Sequence, residues 1–212
     1  DSPTGTLLST RYSGEYISFG TGENNLYRIV SHENGTGTKI TSAIPLKDSG
    51  NYKTMSFGSN VTFSKDNTIG TFLNGEYLTS GTYLTSNQVN MIEDNTTWYL
   101  GTVGKGSNYK LAKYQDSTSS SLTASTTTAK VGLLRLGELM SGQFDKYGNN
   151  NYWTLTQYST SYVRVVSSSG SSSGYSLNYS YALRPSMNLK SNVIITGGKG
   201  TAREPFTIKL GS

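Results

Sequence analysis

Apolar positions in this chain come in short runs separated by glycine, serine and asparagine, and few runs exceed one strand in length. Tyr16-Ile17-Ser18-Phe19 and Leu26-Tyr27-Arg28-Ile29-Val30 flank Gly20-Thr21-Gly22 and predict a hairpin. Lys39 to Leu46 alternates weakly and predicts a further strand that stops near Pro45, because proline cannot donate to a central ladder. Asp48 to Phe63 reads as irregular surface. Ile69, Phe72, Leu73 and Leu78 fall at near-helical spacing behind an Asn67 or Thr68 cap, and Val89, Met91 and Ile92 do so behind Thr85-Ser86. Two short helices are expected there, followed by a strand over 97–103.

Residues 115–129 are Ser/Thr-rich and polar enough to predict an exposed loop, an insertion rather than an interdomain linker. Lys130 to Leu136 then re-enters as a buried strand, and Gly137 to Met140 begins a turn or short helix. Tyr152–Thr156, Tyr162–Val166 and Ser191–Thr196 predict closing strands. A glycine turn at 197–200 leads into a final strand over 204–210. No repeat recurs at a fixed period. The expected architecture is a single α+β domain over 1–212, with many short antiparallel strands, a few short helices and long loops.

Composition narrows the chemistry. The 212 residues are 33% hydrophobic and only 15% charged, which fits one domain whose tyrosines, threonines and glycines share the packing. The net charge of +5 is spread singly from Arg11 to Lys209, with no basic stripe to follow a phosphate backbone, so nucleic acid is not an expected partner. There is no cysteine, which removes disulfides, thiolate catalysis and thiolate-bound zinc. No apolar run approaches the roughly twenty residues of a membrane span, so no membrane contact is expected of this segment. If the chain is exported, a targeting or anchoring segment would lie upstream of Asp1, and Gly211-Ser212 reads as a cloning remnant.

Candidate catalytic groups are sparse. His32 follows a strand with no nucleophile or orienting carboxylate marked beside it, and reads as a surface-loop histidine. Glu138 and Asp145 could be imagined as a glycosidase pair, but seven positions of separation say nothing about space. Glu93-Asp94-Asn95 and Asp145 with Asn149, Asn150 and Asn151 supply oxygens suited to calcium. The acidic residues are too few for a calcium loop and such clusters are ordinary turn formers, so no cofactor is expected. Gly197-Gly198-Lys199-Gly200-Thr201 lacks the spacing of a phosphate loop.

Binding is better represented. Seven tyrosines lie between Tyr147 and Tyr181, interleaved with serine, glycine and asparagine, which is the vocabulary of a rigid yet adaptable contact surface. Ser167 to Gly174 is too polar to fill a core and predicts an exposed loop. Tyr158, Tyr162, Tyr175, Tyr179 and Tyr181 are therefore the expected ligand contacts, with Asn149, Asn150 and Asn151 as polar partners. Arg184-Pro185 is expected to be structural, an extended dipeptide whose guanidinium fastens the end of the long segment to a carboxylate or to carbonyls.

Several strings in fixed order carry a resemblance: Tyr16-Ile17-Ser18-Phe19 with Leu26-Tyr27-Arg28-Ile29-Val30, Phe72-Leu73-Asn74-Gly75-Glu76-Tyr77, Trp98-Tyr99-Leu100-Gly101, Val131-Gly132-Leu133-Leu134 and Tyr152-Trp153-Thr154-Leu155-Thr156. Leu183-Arg184-Pro185, Leu189-Lys190-Ser191, Gly198-Lys199-Gly200-Thr201 and Glu204-Pro205-Phe206 complete the order. Together they resemble bacterial surface domains with the formylglycine-generating-enzyme type of C-type lectin fold, found in Gram-positive surface proteins and often behind a type IV pilin-like helix. The resemblance implies an extracellular, non-enzymatic module for adhesion or display, with a cell-surface glycan or protein as its partner. The alternatives are a filament subunit that mainly self-associates and a hydrolase of cell-surface polymers. The oxidising enzymes of that fold use cysteines absent here, and Glu204-Pro205-Phe206 and Asn151-Tyr152-Trp153 depart from the calcium-dependent sugar motifs.

Overall fold

The structure, a computed structural model, describes residues 2–32, 37–106, 110–112, 115–117 and 125–212. It is mixed α+β, built mostly of short antiparallel strands with few helices. The chain opens with β1 (Tyr16–Ser18), β2 (Leu26–His32) and β3 (Thr38–Ser42), then the small hairpin β4 (Lys47–Asp48) and β5 (Asn51–Tyr52), and β6 (Thr54–Met55). Helices α1 (Thr68–Leu73), α2 (Glu76–Thr79) and α3 (Ser86–Met91) follow. Next come β7 (Thr96–Leu100), β8 (Lys110–Ala112), β9 (Gln115–Ser117), β10 (Ser125–Ala129) and the single turn α4 (Leu136–Glu138). The closing strands are β11 (Tyr152–Gln157), β12 (Tyr162–Val166), β13 (Ser172–Ser176), β14 (Tyr181–Ala182), β15 (Ser186–Asn188), β16 (Val193–Gly197) and β17 (Thr207–Leu210).

Two sheets carry the fold, ordered β1-β2-β3-β15 and β13-β12-β11-β14-β6. One segment belongs to both. Ala182 pairs in parallel with Tyr152 and antiparallel with Thr54, and four residues later Ser186 pairs with Thr41 of the other sheet. Every residue from Ala182 to Leu189 is buried. Leu183, Met187 and Leu189 enter the main core, while Arg184, Ser186 and Asn188 occupy the alternate positions, as the two-residue period of an extended chain requires. Ser186 also exchanges both backbone hydrogen bonds with Gly132, each at 2.9 Å.

The predicted helices form, with a finer division. The run 67–78 is split by Gly75 into α1 and α2, and α3 opens on a capping box in which Thr85 and Gln88 bond each other's backbone N–H. Asn67 caps α1 and also accepts from the Ser59 N–H (3.0 Å) while donating to the carbonyls of Asn60 (3.0 Å) and Thr62 (3.3 Å). This one amide organises the segment before α1.

Four sequence expectations change. Asp48 to Phe63 is only partly irregular surface: much of it is exposed, but it carries β5 and β6, and Phe57, Val61 and Phe63 are buried, Phe57 packing edge-on to Trp153 at 5.5 Å. The 115–129 loop contains strands instead: β9 pairs with β8, and β10 pairs with β7 from Ser125↔Leu100 to Ala129↔Thr96, while 118–124 lie outside the described residues. Polar threonines suit such a two-stranded ribbon with one face in solvent. Val131 to Leu134 is buried as expected but is extended chain held by the Gly132 bridge rather than a ladder strand. His32 is not in a loop: it ends β2, with Nδ1 2.9 Å from Thr38 Oγ1 and Nε2 2.5 Å from the Arg11 carbonyl oxygen. A carbonyl only accepts, so Nε2 carries a proton.

Gly211 is joined to Asn192, its N–H donating to the Asn192 carbonyl at 2.7 Å and its own carbonyl accepting from Asn192 Nδ2 at 3.0 Å. The two ends of the chain also meet, through bridges of Leu7 with Ile194 and Ile17 with Phe206.

Candidate binding surface

The predicted tyrosines lie in and beside the five-stranded sheet, Tyr175 on its edge strand β13, Tyr162 on β12 and Tyr181 on β14, and register decides which way the strand residues point. Antiparallel partners directly opposite one another share a face. Val163 pairs with Tyr175 and Trp153 with Val165, placing Trp153 and Tyr175 on one face. Tyr162 pairs with Ser176 and Arg164 with Gly174, which places Tyr162 and Arg164 on the other. The segment read as an exposed loop is thus partly the edge strand β13, and the five tyrosines do not form one platform.

On the first face the rings interlock. Tyr181 lies 5.0 Å from Trp153 between centroids and stacks on Tyr179 at 5.7 Å with 24° between planes. Tyr175 stands edge-on to both, at 5.4 Å and 85° from Tyr181 and at 6.3 Å and 79° from Tyr179. Trp153 is buried and its Nε1 donates to the Met55 carbonyl at 2.8 Å, so the cluster is rooted in the core. Tyr175 and Tyr181 are half-buried and Tyr179 is 55% exposed. Edge-to-face and offset pairs of this kind contribute about 0.5–1.5 kcal/mol each beyond their buried area. Burial pushes the Tyr181 phenol up, against a hydrogen bond with Asn151 that draws it down.

The opposite face is organised by Arg164. Its Nε donates to the Val103 carbonyl (2.7 Å), Nη1 to Ser172 (3.1 Å) and Nη2 to Gly104 (2.9 Å), and Tyr158 covers the guanidinium at 4.6 Å. A Cβ at Gly174 would fall 2.3 Å from the Tyr158 ring, so that ring lies flat on the glycine. Tyr158 is committed to Arg164, and Tyr162, 44% exposed, is the outward ring on this side.

The asparagines divide similarly. Asn149 is exposed in the turn closed by the Tyr147–Asn150 bridge. Asn151 Oδ1 accepts from the Ser168 N–H at 2.9 Å and its carbonyl accepts from the Ala182 N–H at 2.9 Å, bracing the backbone behind the tyrosines. Arg184 is 2% exposed, with Nε donating to the Ser42 carbonyl (3.1 Å) and Nη1 to the Gln143 carbonyl (2.7 Å), below Tyr147 and Tyr152. Pro185 contributes its carbonyl, which accepts from the Ser42 N–H (3.0 Å) and Thr41 Oγ1 (3.1 Å). The sequence reading missed Arg164, although an arginine inside a valine run is a visible signal of a buried cation.

Other candidates stand apart. Glu138 Oε2 lies 2.9 Å from Lys39 Nζ, and Oε1 accepts from the Arg135 N–H at 3.0 Å. Burial alone would raise this carboxyl, but the charges of Lys39 and Arg135 outweigh it and hold Glu138 below the usual carboxylate range. Asp145 pairs with Arg28 at 3.3 Å instead. Among the described residues no three His, Cys, Asp or Glu side chains are grouped to hold a metal ion, and no helix is long and apolar enough to cross a membrane. A cleft of about 510 Å³ is lined by Ser2, Pro3, Arg11, Gly198, Lys199 and Glu204, none of them a predicted contact. Comparison with known proteins finds no matching family model, no similar curated protein and no similar solved structure at a significant level.

Proposed function

We propose that this chain is a non-enzymatic, surface-displayed binding domain with a C-type-lectin-like fold, the exposed part of a pilin-like appendage outside a bacterial cell. Its contact surface is the cluster of Tyr175, Tyr179 and Tyr181. The observation that carries this reading is a pre-assembled aromatic stack, anchored on buried Trp153, that leaves Tyr179 open to solvent. Rings already fixed by their neighbours lose little conformational freedom when a partner lands on them. The pairing of the two chain ends and the buried Ala182–Leu189 segment support a compact display module.

The test is attachment of the labelled domain to an array of cell-surface glycans and extracellular-matrix proteins. Tyr179→Ala should weaken attachment about tenfold or more, the loss expected for one central aromatic anchor, while the lost ring pairs lower the melting temperature by only several degrees and leave the domain folded. Tyr12→Ala removes a ring that is 69% exposed elsewhere and should change nothing. Attachment by Tyr179→Ala equal to that of the parent chain would sink the assignment.

A further inference from the structure

We infer that the tyrosine cluster takes a neutral glycan, an inference that rests on the contact surface proposed above. The first observation is charge. From Ser167 to Leu183 there is no Asp, Glu, Lys, Arg or His in 17 residues, so the edge strand, the turn after it and all three rings are free of formal charge. Among the basic residues around the sheet, Lys146 is exposed beside Gly170, in the turn before β13, and three others are occupied. Arg164 is on the opposite face and donates to three carbonyls, Arg184 is buried beneath Tyr147 and Tyr152, and Lys53 lies over the Phe72 ring at 5.0 Å. A charged ligand on these rings would give up hydration with no opposite charge inside the 167–183 segment to replace it.

The second observation is shape. Tyr179 and Tyr181 are near-parallel and Tyr175 is perpendicular to both, so the surface offers an open flat ring face bounded by a ring edge. The face of an aromatic ring is electron-rich and attracts weakly positive C–H groups, which a pyranose presents on one side while its hydroxyls point outward. Asn178, Tyr179 and Ser180 are exposed around that face and supply both donors and acceptors for hydroxyls. A protein anchor, by contrast, is strongest when buried in a pocket, whereas Tyr179 is 55% exposed.

The experiment uses the whole chain on immobilised dextran, mannan, galactan and chitin oligosaccharides, beside hyaluronan, heparin and matrix proteins, at low and high salt. Binding to at least one neutral glycan is expected, little changed between about 50 and 500 mM salt because no ion pair is made. Tyr179→Ala should lose about tenfold or more of that affinity, equivalent to one tenfold step in Kd, whereas Tyr179→Trp should keep it. Salt-sensitive binding to a charged glycan alone, or binding to a matrix protein alone, overturns the neutral-glycan assignment; if Tyr179→Ala abolishes that binding, the contact surface itself stands. No bound probe, or a bound probe indifferent to Tyr179→Ala, overturns both.

Discussion

Arg164 and Arg184 are buried cations, and none of the ion pairs among the described residues includes either of them. Each donates instead to carbonyl oxygens and lies against tyrosine faces, a use suited to a planar guanidinium with several fixed donors, although Nη2 of Arg184 is buried without a hydrogen-bond partner. Arg184 thereby ties Ser42, at the end of β3, to Gln143, in the turn after α4. A lysine could place its ammonium at one of these carbonyls but not both. Arg184→Lys is therefore expected to cost about 1.5–3 kcal/mol, the scale of a lost hydrogen bond to a charged group. Thermal unfolding checks this, and for a chain of this size the midpoint should fall by roughly 2–4 °C per kcal/mol. A midpoint that does not move would show that the two carbonyl contacts contribute nothing.

Among the elements, α4 and β3 are joined electrostatically and β12 and β13 by register. Glu138, on α4, reaches Lys39 on β3, and its carboxyl is held below the usual range in the folded state. A depressed folded pKa stabilises the protein above the unfolded value, about 4.3 for glutamate. That contribution is lost as pH falls through the lower folded pKa. Glu138→Gln should lower the melting temperature near neutral pH and reduce the steepness of its decline below about pH 4.5, as the linkage between bound protons and stability requires. Parallel melting curves for the two proteins from neutral to acid pH check this. For β12 and β13, a register slip of one residue would move Tyr175 to the face of Arg164 and bring Gly174 to the face of Trp153. Gly174 cannot carry a side chain where it now lies without displacing the Tyr158 ring, which favours the present register.

At the scale of the molecule, the described residues hold the core together by packing and backbone pairing, with no metal cluster among them. Treatment with a chelator is expected to shift the melting temperature by less than the scatter between repeat scans, and a large fall would reveal a structural cation. The local features were legible in the sequence. The alternation at 26–30, 152–156 and 162–166 and the Asn67 and Thr85 caps depend on a residue's own neighbours, and β2, β11, β12, α1 and α3 form there. The composition of the tyrosine segment was equally plain, and so was its lack of charge. Its division was not. Alternation gives a strand two faces without saying which faces a neighbour, so the separation of Tyr175, Tyr179 and Tyr181 from Tyr158 and Tyr162 was decided by pairing across β11, β12 and β13. Burial of Phe57 likewise needed Trp153 of that sheet, and the Ser125–Ala129 strand needed β7. Sequence by itself determined the alternating strands β2, β11 and β12, the caps of α1 and α3 and a charge-free aromatic segment; tertiary structure alone chose Tyr179 as the open ring, because exposure depends on how the strands pair and pack.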